Sequence, residues 1–130
     1  MQRIFNLIER RLCFGLEFIE FVNQLISSNS NKLSAIDQLD RASTSIPLNI
    51  AEGTGKFTGK DKCRYYDIAR GSSLECAACL DVLRRRDIIS NELAEEGKHI
   101  LMEVVSMLVG VIKSSSDRAY ESEVEYKIPT

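Results

Sequence analysis

The chain has 130 residues, with 44% hydrophobic and 28% charged side chains, seven glycines and two prolines. This is one globular domain's worth of an ordinary soluble composition, and it excludes the collagen-like, low-complexity and disordered classes. Seventeen basic and nineteen acidic residues give a net charge of −2, which speaks against a uniformly basic nucleic-acid binder.

Residues 2–28 carry Ile4, Ile8, Leu12, Leu16, Ile19, Val22 and Ile26 at steps of three and four, the period of a helix. A second stripe, Leu7, Phe14, Phe18, Phe21 and Leu25, lies beside the first. Two stripes widen the apolar arc beyond what one bundle needs, so Phe14, Phe18 and Phe21 are expected to meet another subunit. No uninterrupted apolar run reaches the ~18 residues of a membrane span. No basic segment followed by an apolar core and a small-residue cleavage site opens the sequence, so no membrane contact is expected and a cytoplasmic location is. The serine and asparagine cluster at 27–31 is a turn.

A second helix is predicted over 33–53, with Ile36, Leu39, Ala42, Ile46 and Ile50 inward and Pro47 inside it, where it removes one backbone hydrogen bond. Arg41, Ser45, Asn49 and Glu52 fall on one face at spacings of four, four and three. The following GTGKFTGK run lacks the spacing and the preceding strand of a Walker phosphate loop and reads as a turn. Thr58 with Asp61 three residues on has the form of a capping box.

A third helix is predicted over 59–86, with the row Tyr66, Ala69, Ser73, Cys76, Leu80 and Leu83 inward. The small residues Ala69, Gly71, Ser72 and Ser73 allow close helix approach. Folded back antiparallel, it places Arg41 opposite Glu75, Ser45 opposite Gly71, Asn49 opposite Asp67 and Glu52 opposite Arg64, with the neighbours Ser72 for Ser45 and Lys60 for Glu52 also qualifying. That set is expected to form a structural polar seam fixing the register. Glu52 and Glu75 fall at opposite ends of the seam, too far apart for paired acid–base work.

Cys13, Cys63, Cys76 and Cys79 are expected to be free thiols. The lone C-x-x-C of Cys76 and Cys79 lacks the second pair of a zinc site and the strand of a redox motif, so it reads as core. One histidine and no tryptophan leave few groups for acid–base or metal chemistry. His99, between Glu95 and Glu103, reads as a solvated face. No catalytic residue, metal or cofactor is expected.

A fourth helix is predicted over 90–116, with Leu93, Ile100, Leu101, Val104, Leu108, Val111 and Ile112 inward, ending at the serines and aspartate of 114–117. Residues 118–130 read as an acidic tail bearing Tyr120 and Tyr126. Four such segments with short connections predict an all-α, antiparallel up-and-down four-helix bundle over residues 1–117, and the surplus apolar surface predicts a homo-oligomer.

Charge is segregated along this frame. Residues 56–86 hold eight basic side chains (Lys56, Lys60, Lys62, Arg64, Arg70, Arg84, Arg85, Arg86) against four acidic, whereas residues 87–130 hold four against nine. The basic middle suits an anionic partner such as RNA or DNA, and pairing with the acidic C-terminal third is the alternative. Three arginines at the end of one helix cannot all serve its dipole from one face.

The run SIPLNIAEGTGKFTGKDKCRYYDIARGSSLE, residues 45–75, resembles the signature of the bacterial four-helix-bundle proteins encoded in intervening sequences of large-subunit ribosomal RNA genes. Ser45–Ile46, Asn49 through Gly53, Ala69, Gly71–Ser72 and Glu75 carry it, with Gln38–Leu39 and Arg41–Ala42 before them; Asp40 departs from it. The resemblance implies an all-helical, ring-like homopentamer without a settled activity. A related branch, the accessory variability determinants of diversity-generating retroelements, is similar in fold and engages reverse transcriptase and nucleic acid through a basic surface. The resulting expectation is a non-catalytic oligomer that contacts RNA, DNA or a nucleic-acid-processing protein. Its candidate contacts are Lys56, Lys60, Lys62, Arg64, Arg84, Arg85 and Arg86. A protein–protein scaffold without nucleic-acid contact is the competing expectation.

Overall fold

A computed structural model describes the backbone of residues 1–29 and 34–127, and the side chains of 1–29 and 34–116. Four helices follow one another: α1 (Gln2–Ser28), α2 (Ser34–Thr54), α3 (Gly59–Arg85) and α4 (Asn91–Lys127). There is no strand among the described residues. Each helix packs on its two neighbours in the ring α1–α2–α3–α4–α1, and across one diagonal the Arg11 side chain of α1 reaches Tyr66 of α3. The α2–α3 contact is the most extensive and α1–α4 the least.

Residue pairs across each interface run in opposite senses. Thr54 meets Tyr66 and Ser45 meets Ser72; Cys63 meets Ile112 and Asp81 meets Lys98. Arg11 meets Thr54, and Gly15 lies against Ile46 and Pro47. Phe21 lies against Gly97. All four contacts are therefore antiparallel, giving the up-and-down bundle that short connections favour.

Three helices keep their predicted bounds to within a residue. The fourth does not stop at 114–117: its backbone stays helical to Lys127. Serine and aspartate each lower helix propensity by well under ~1 kcal/mol, and no glycine or proline stands at 114–117 to end the helix. Residues 118–127 thus continue α4, while the side chains of Tyr120 and Tyr126 lie outside the described set. Helix α2 runs unbroken through Pro47, which is itself buried.

The ends of α3 are closed by local chemistry. The Thr58 hydroxyl accepts the Asp61 N–H at 3.1 Å, satisfying one otherwise orphaned donor of the first turn. At the other end Asp87 adopts φ 58°. Its N–H reaches the Arg84 carbonyl, and the Ile88 N–H reaches the Leu83 carbonyl, both at 3.0 Å. That is a Schellman cap with an aspartate where glycine is usual.

The core is one cluster containing Phe18, Val22, Leu39, Ile46, Ile50, Tyr66, Leu80, Leu83, Val104 and Leu108. Complete burial of each such large apolar side chain contributes about 1.5–3 kcal/mol. Phe18 is fully buried and Phe21 is 6% exposed, their rings stacked with centroids 5.6 Å apart. This corrects the expected subunit contact: the chain covers Phe18 and Phe21 by itself, and only Phe14 remains half-buried. Gly97 explains why: its missing side chain leaves room for the Phe21 ring, which would lie 2.7 Å from a Cβ placed there.

By length and mean hydropathy (1.3), the part of α4 over Asn91–Ser116 is apolar enough to cross a membrane. Ala94, Ile100, Leu101, Val104 and Leu108 of that part belong to the core, while Met102 and Val109 are exposed.

Candidate nucleic-acid interface

Helix α3 has 27 residues and so spans about 40 Å at ~1.5 Å per residue. The seven candidate cations consequently form two groups at opposite ends of the bundle. Lys56, Lys60, Lys62 and Arg64 surround the α2–α3 turn. Arg84, Arg85 and Arg86 lie at the far end of α3.

The two groups differ in how the fold uses them. Arg84 is half-buried, 3.5 Å from Asp81, and Lys98 of α4 pairs with the same carboxylate. The Nε of Arg84 is buried without a hydrogen-bond partner. Arg84 is therefore drawn into the α3–α4 contact, leaving Arg85 and Arg86 exposed. At the α2–α3 turn, Lys60 and Arg64 are exposed. Lys56 sits 3.7 Å from Glu52 and 5.1 Å from the Tyr65 ring centre, and the Arg64 guanidinium lies 5.9 Å from the same ring. Lys62 donates to the Thr54 carbonyl at 3.1 Å. Between these cations Phe57 stands fully in solvent. Sequence reasoning passed over Phe57, although the aromatic interleaved with lysines in GKFTGK is the signal that marks it.

The polar seam forms in its centre and not on its flanks. Ser72 donates to the Ser45 hydroxyl at 2.9 Å. Asn49 donates to the Ser45 carbonyl at 2.8 Å and to its hydroxyl at 3.0 Å. Gly71, the other residue considered opposite Ser45, faces open space. The five charged side chains expected in the seam do not pair as expected. Glu75 accepts from Gln38 rather than Arg41, and Arg41 is exposed. Asp67 pairs with Arg70 on its own helix at 2.9 Å. Glu52 pairs with Lys56 one turn on, and Arg64 lies on Tyr65. Ser72 and Ser45 meet across the seam and Asn49 bonds back to Ser45 on its own helix, whereas the charged Asp67 and Glu52 turn outward to partners three and four residues along the chain.

Beneath the turn the chain builds a buried relay. The Arg11 Nη1 donates to the Tyr66 hydroxyl at 2.6 Å. Thr54 donates to the Ile50 carbonyl at 2.8 Å, so across the 3.0 Å Tyr66–Thr54 contact the tyrosine is the donor. Gly53 makes this possible: a Cβ there would lie 2.7 Å from the Tyr66 ring. The last glycine of the Asn-Ile-Ala-Glu-Gly run thus has a packing reason.

The four thiols are free. Burial first, then Cys79 and Glu75, pushes Cys76 up to about 12 from 9.0. Burial and then Glu75 raise Cys79, and burial and then Asp67 raise Cys63. Such thiols are inert as nucleophiles near neutral pH. Among the described residues no three His, Cys, Asp or Glu side chains group to hold a metal ion.

This geometry defines an antiparallel all-α bundle with a basic, aromatic-bearing turn at one end. The model of the 23S rRNA-intervening sequence proteins matches residues 13–110, and the chain belongs to that family. A similar solved structure is a protein of unknown function from the S23 ribosomal protein family of Bacteroides thetaiotaomicron. It is 23% identical, with 82% of this chain and 97% of that one covered and a TM-score of 0.70, a likeness of fold. No protein with a curated description matches the chain.

Proposed function

We propose that this protein is a non-catalytic, self-associating bundle that binds nucleic acid through its α2–α3 turn. The observation that carries the reading is Phe57, wholly solvent-exposed amid Lys56, Lys60, Lys62 and Arg64. An aromatic face on which a base can stack, ringed by cations that hold phosphates, is the means by which proteins grip single strands. Family membership supports the same reading, since the family takes its name from sequences within ribosomal RNA genes. Arg85 and Arg86 supply a second, weaker set of phosphate contacts, and repetition in an assembly multiplies both. Fluorescence anisotropy with a labelled single-stranded RNA tests it. Binding should weaken steeply with salt and fall several-fold in Phe57→Ala. Absence of binding at low salt, or binding indifferent to Phe57, overturns it.

A protein–protein scaffold is the second reading. It is favoured by the apolar side chains that α3 leaves in solvent, Ile68, Leu74 and Val82, at 45, 54 and 41% exposure. These, with Leu16, Leu48, Met102 and Val109 on the other helices, are exposed apolar side chains that a partner could cover, whereas Phe18 and Phe21 are buried. Sedimentation velocity across a concentration series tests self-association, and a monomer throughout would exclude it.

A further inference from the structure

At the same end of the bundle lies a cavity of about 200 Å³ to which all four helices contribute. Its polar lining is Arg11 from α1, Thr54 from α2, Lys62 from α3, and Ser114 and Ser115 from α4. Two cations and the two serines of α4 line it, the Thr54 hydroxyl being committed to Ile50 and Tyr66, and no carboxylate lines it among the described residues. We propose that this cavity is a binding site for a phosphate group, with Arg11 as its principal donor.

Arg11 is built for the task. Its Nη1 is anchored on the Tyr66 hydroxyl at 2.6 Å, and the guanidinium lies 5.8 Å from the centre of the same ring. The Tyr66–Thr54–Ile50 relay behind it fixes the anchor. No carboxylate pairs with Arg11 among the described residues. A guanidinium offers five N–H donors in a rigid fork, so anchoring through one nitrogen leaves the rest for an oxyanion. The fork is therefore held in place before any ligand arrives, which lowers the ordering cost of binding. Lys62 adds positive charge from a neighbouring turn, its Nζ on the Thr54 carbonyl at 3.1 Å. Tetrahedral phosphate, with several oxygens to satisfy, suits this mixed set of fork, ammonium and hydroxyls.

Size selects within that chemistry. The volume holds several waters at ~30 Å³ of liquid each, room for one phosphate group and not for a base and sugar besides. An internal phosphodiester would have to thread chain through the cavity on both sides. A terminal phosphate monoester or a free phosphate enters from one side. The site goes beyond the nucleic-acid reading and does not depend on it.

Thermal unfolding of the full chain in inorganic phosphate against chloride at matched ionic strength tests the site. A ligand that binds only the folded state raises Tm saturably, and that rise is the expected result. Arg11→Gln should weaken phosphate binding by at least tenfold. Because Arg11 also anchors Tyr66, a second variant keeps the test clean. Gly110 lines the cavity, and a Cβ there meets nothing within 4 Å, so Gly110→Leu adds bulk to the lining without its Cβ meeting the relay. It too should abolish the phosphate-dependent rise. No saturable rise in the parent protein, or a rise unchanged in Gly110→Leu, overturns the proposal. Parallel titration with 5′-phosphorylated and 5′-hydroxyl RNA of one sequence separates the sources: a preference for the phosphorylated strand assigns a nucleic-acid end, and equal binding assigns free phosphate. The phosphate arm contains no RNA, so its failure leaves the Phe57 result untouched, and the converse holds.

Discussion

The two ends of α3 carry similar positive charge and put it to different use. At the C-terminal end Arg84 shares Asp81 with Lys98, and the helix dipole favours cations there. At the N-terminal end the dipole opposes exposed Lys60 and Arg64, while Lys62 is held on the Thr54 carbonyl that ends α2, and a fully exposed phenylalanine stands among them. Charge that serves the fold is placed where the backbone welcomes it. Charge placed against the dipole, beside an unburied aromatic, is better explained by a ligand. Similar numbers of cations thus carry different information according to what the local backbone field does to them.

The largest expected contrast is in thiol chemistry, between Cys76 of α3 and Cys13 of α1. With Cys76 raised to about 12 from 9.0, its thiolate fraction near pH 8 falls about a thousandfold, so iodoacetamide should label exposed Cys13 long before it, as read by peptide mass spectrometry. The same shift has a sign in stability. The unfolded thiol ionises near pH 9 while the folded one stays protonated, so the contribution is intact below pH 9 and is lost as pH rises toward 12. Cys76→Ala should flatten that part of the Tm–pH curve.

Glycine packing sharpens the comparison next. Gly97 sits against Phe21 and Leu80, and a Cβ there would be 2.7 Å from both. Gly97→Ala should lose about 1–3 kcal/mol in urea unfolding. Gly71→Ala, facing open space in mid-helix, should instead gain about 0.5–1 kcal/mol.

The paired charge reversal Lys56→Glu with Lys60→Glu should weaken RNA binding by about tenfold or more, a difference of ~1.4 kcal/mol. Arg85→Glu with Arg86→Glu should weaken it less, measured by anisotropy at one salt concentration. Equal losses would erase the distinction between the ends.

Smaller effects probe the caps. Thr58→Ala should cost about 1 kcal/mol through the lost bond to Asp61. Asp87→Gly should raise stability by about 0.5–1 kcal/mol, because glycine adopts φ 58° without the Cβ strain that aspartate bears. Both are read by chemical denaturation.

The helices, their order and the inward row of α3 were legible in the sequence because each is written in local periodicity. The Thr58 cap was legible for the same reason, whereas the assumed register put Gly71 opposite Ser45 and reached its partner Ser72 only as a neighbour. The Phe57 platform was half-legible, since its neighbours were noted and its exposure was not. The ion pairs Arg41–Glu75 and Glu52–Arg64 were misread, because a register names which residues lie opposite and not which way long side chains turn. The Arg11–Tyr66–Thr54 relay was invisible, since its members are separated by 55 and 12 positions and join only when three helices meet.

By itself the sequence determined that this chain makes four amphipathic helices, where the first three begin and end, and that positive charge gathers around the third. Only the tertiary structure decided that Phe18 and Phe21 are enclosed by the chain that carries them and that Arg11 lines a shared cavity. The reason is geometric. Periodicity specifies which face of a helix is apolar, but the rotation and depth at which four faces meet set what each side chain touches, and those depend on close contacts such as Tyr66 on Gly53 and Phe21 on Gly97 that no single helix contains.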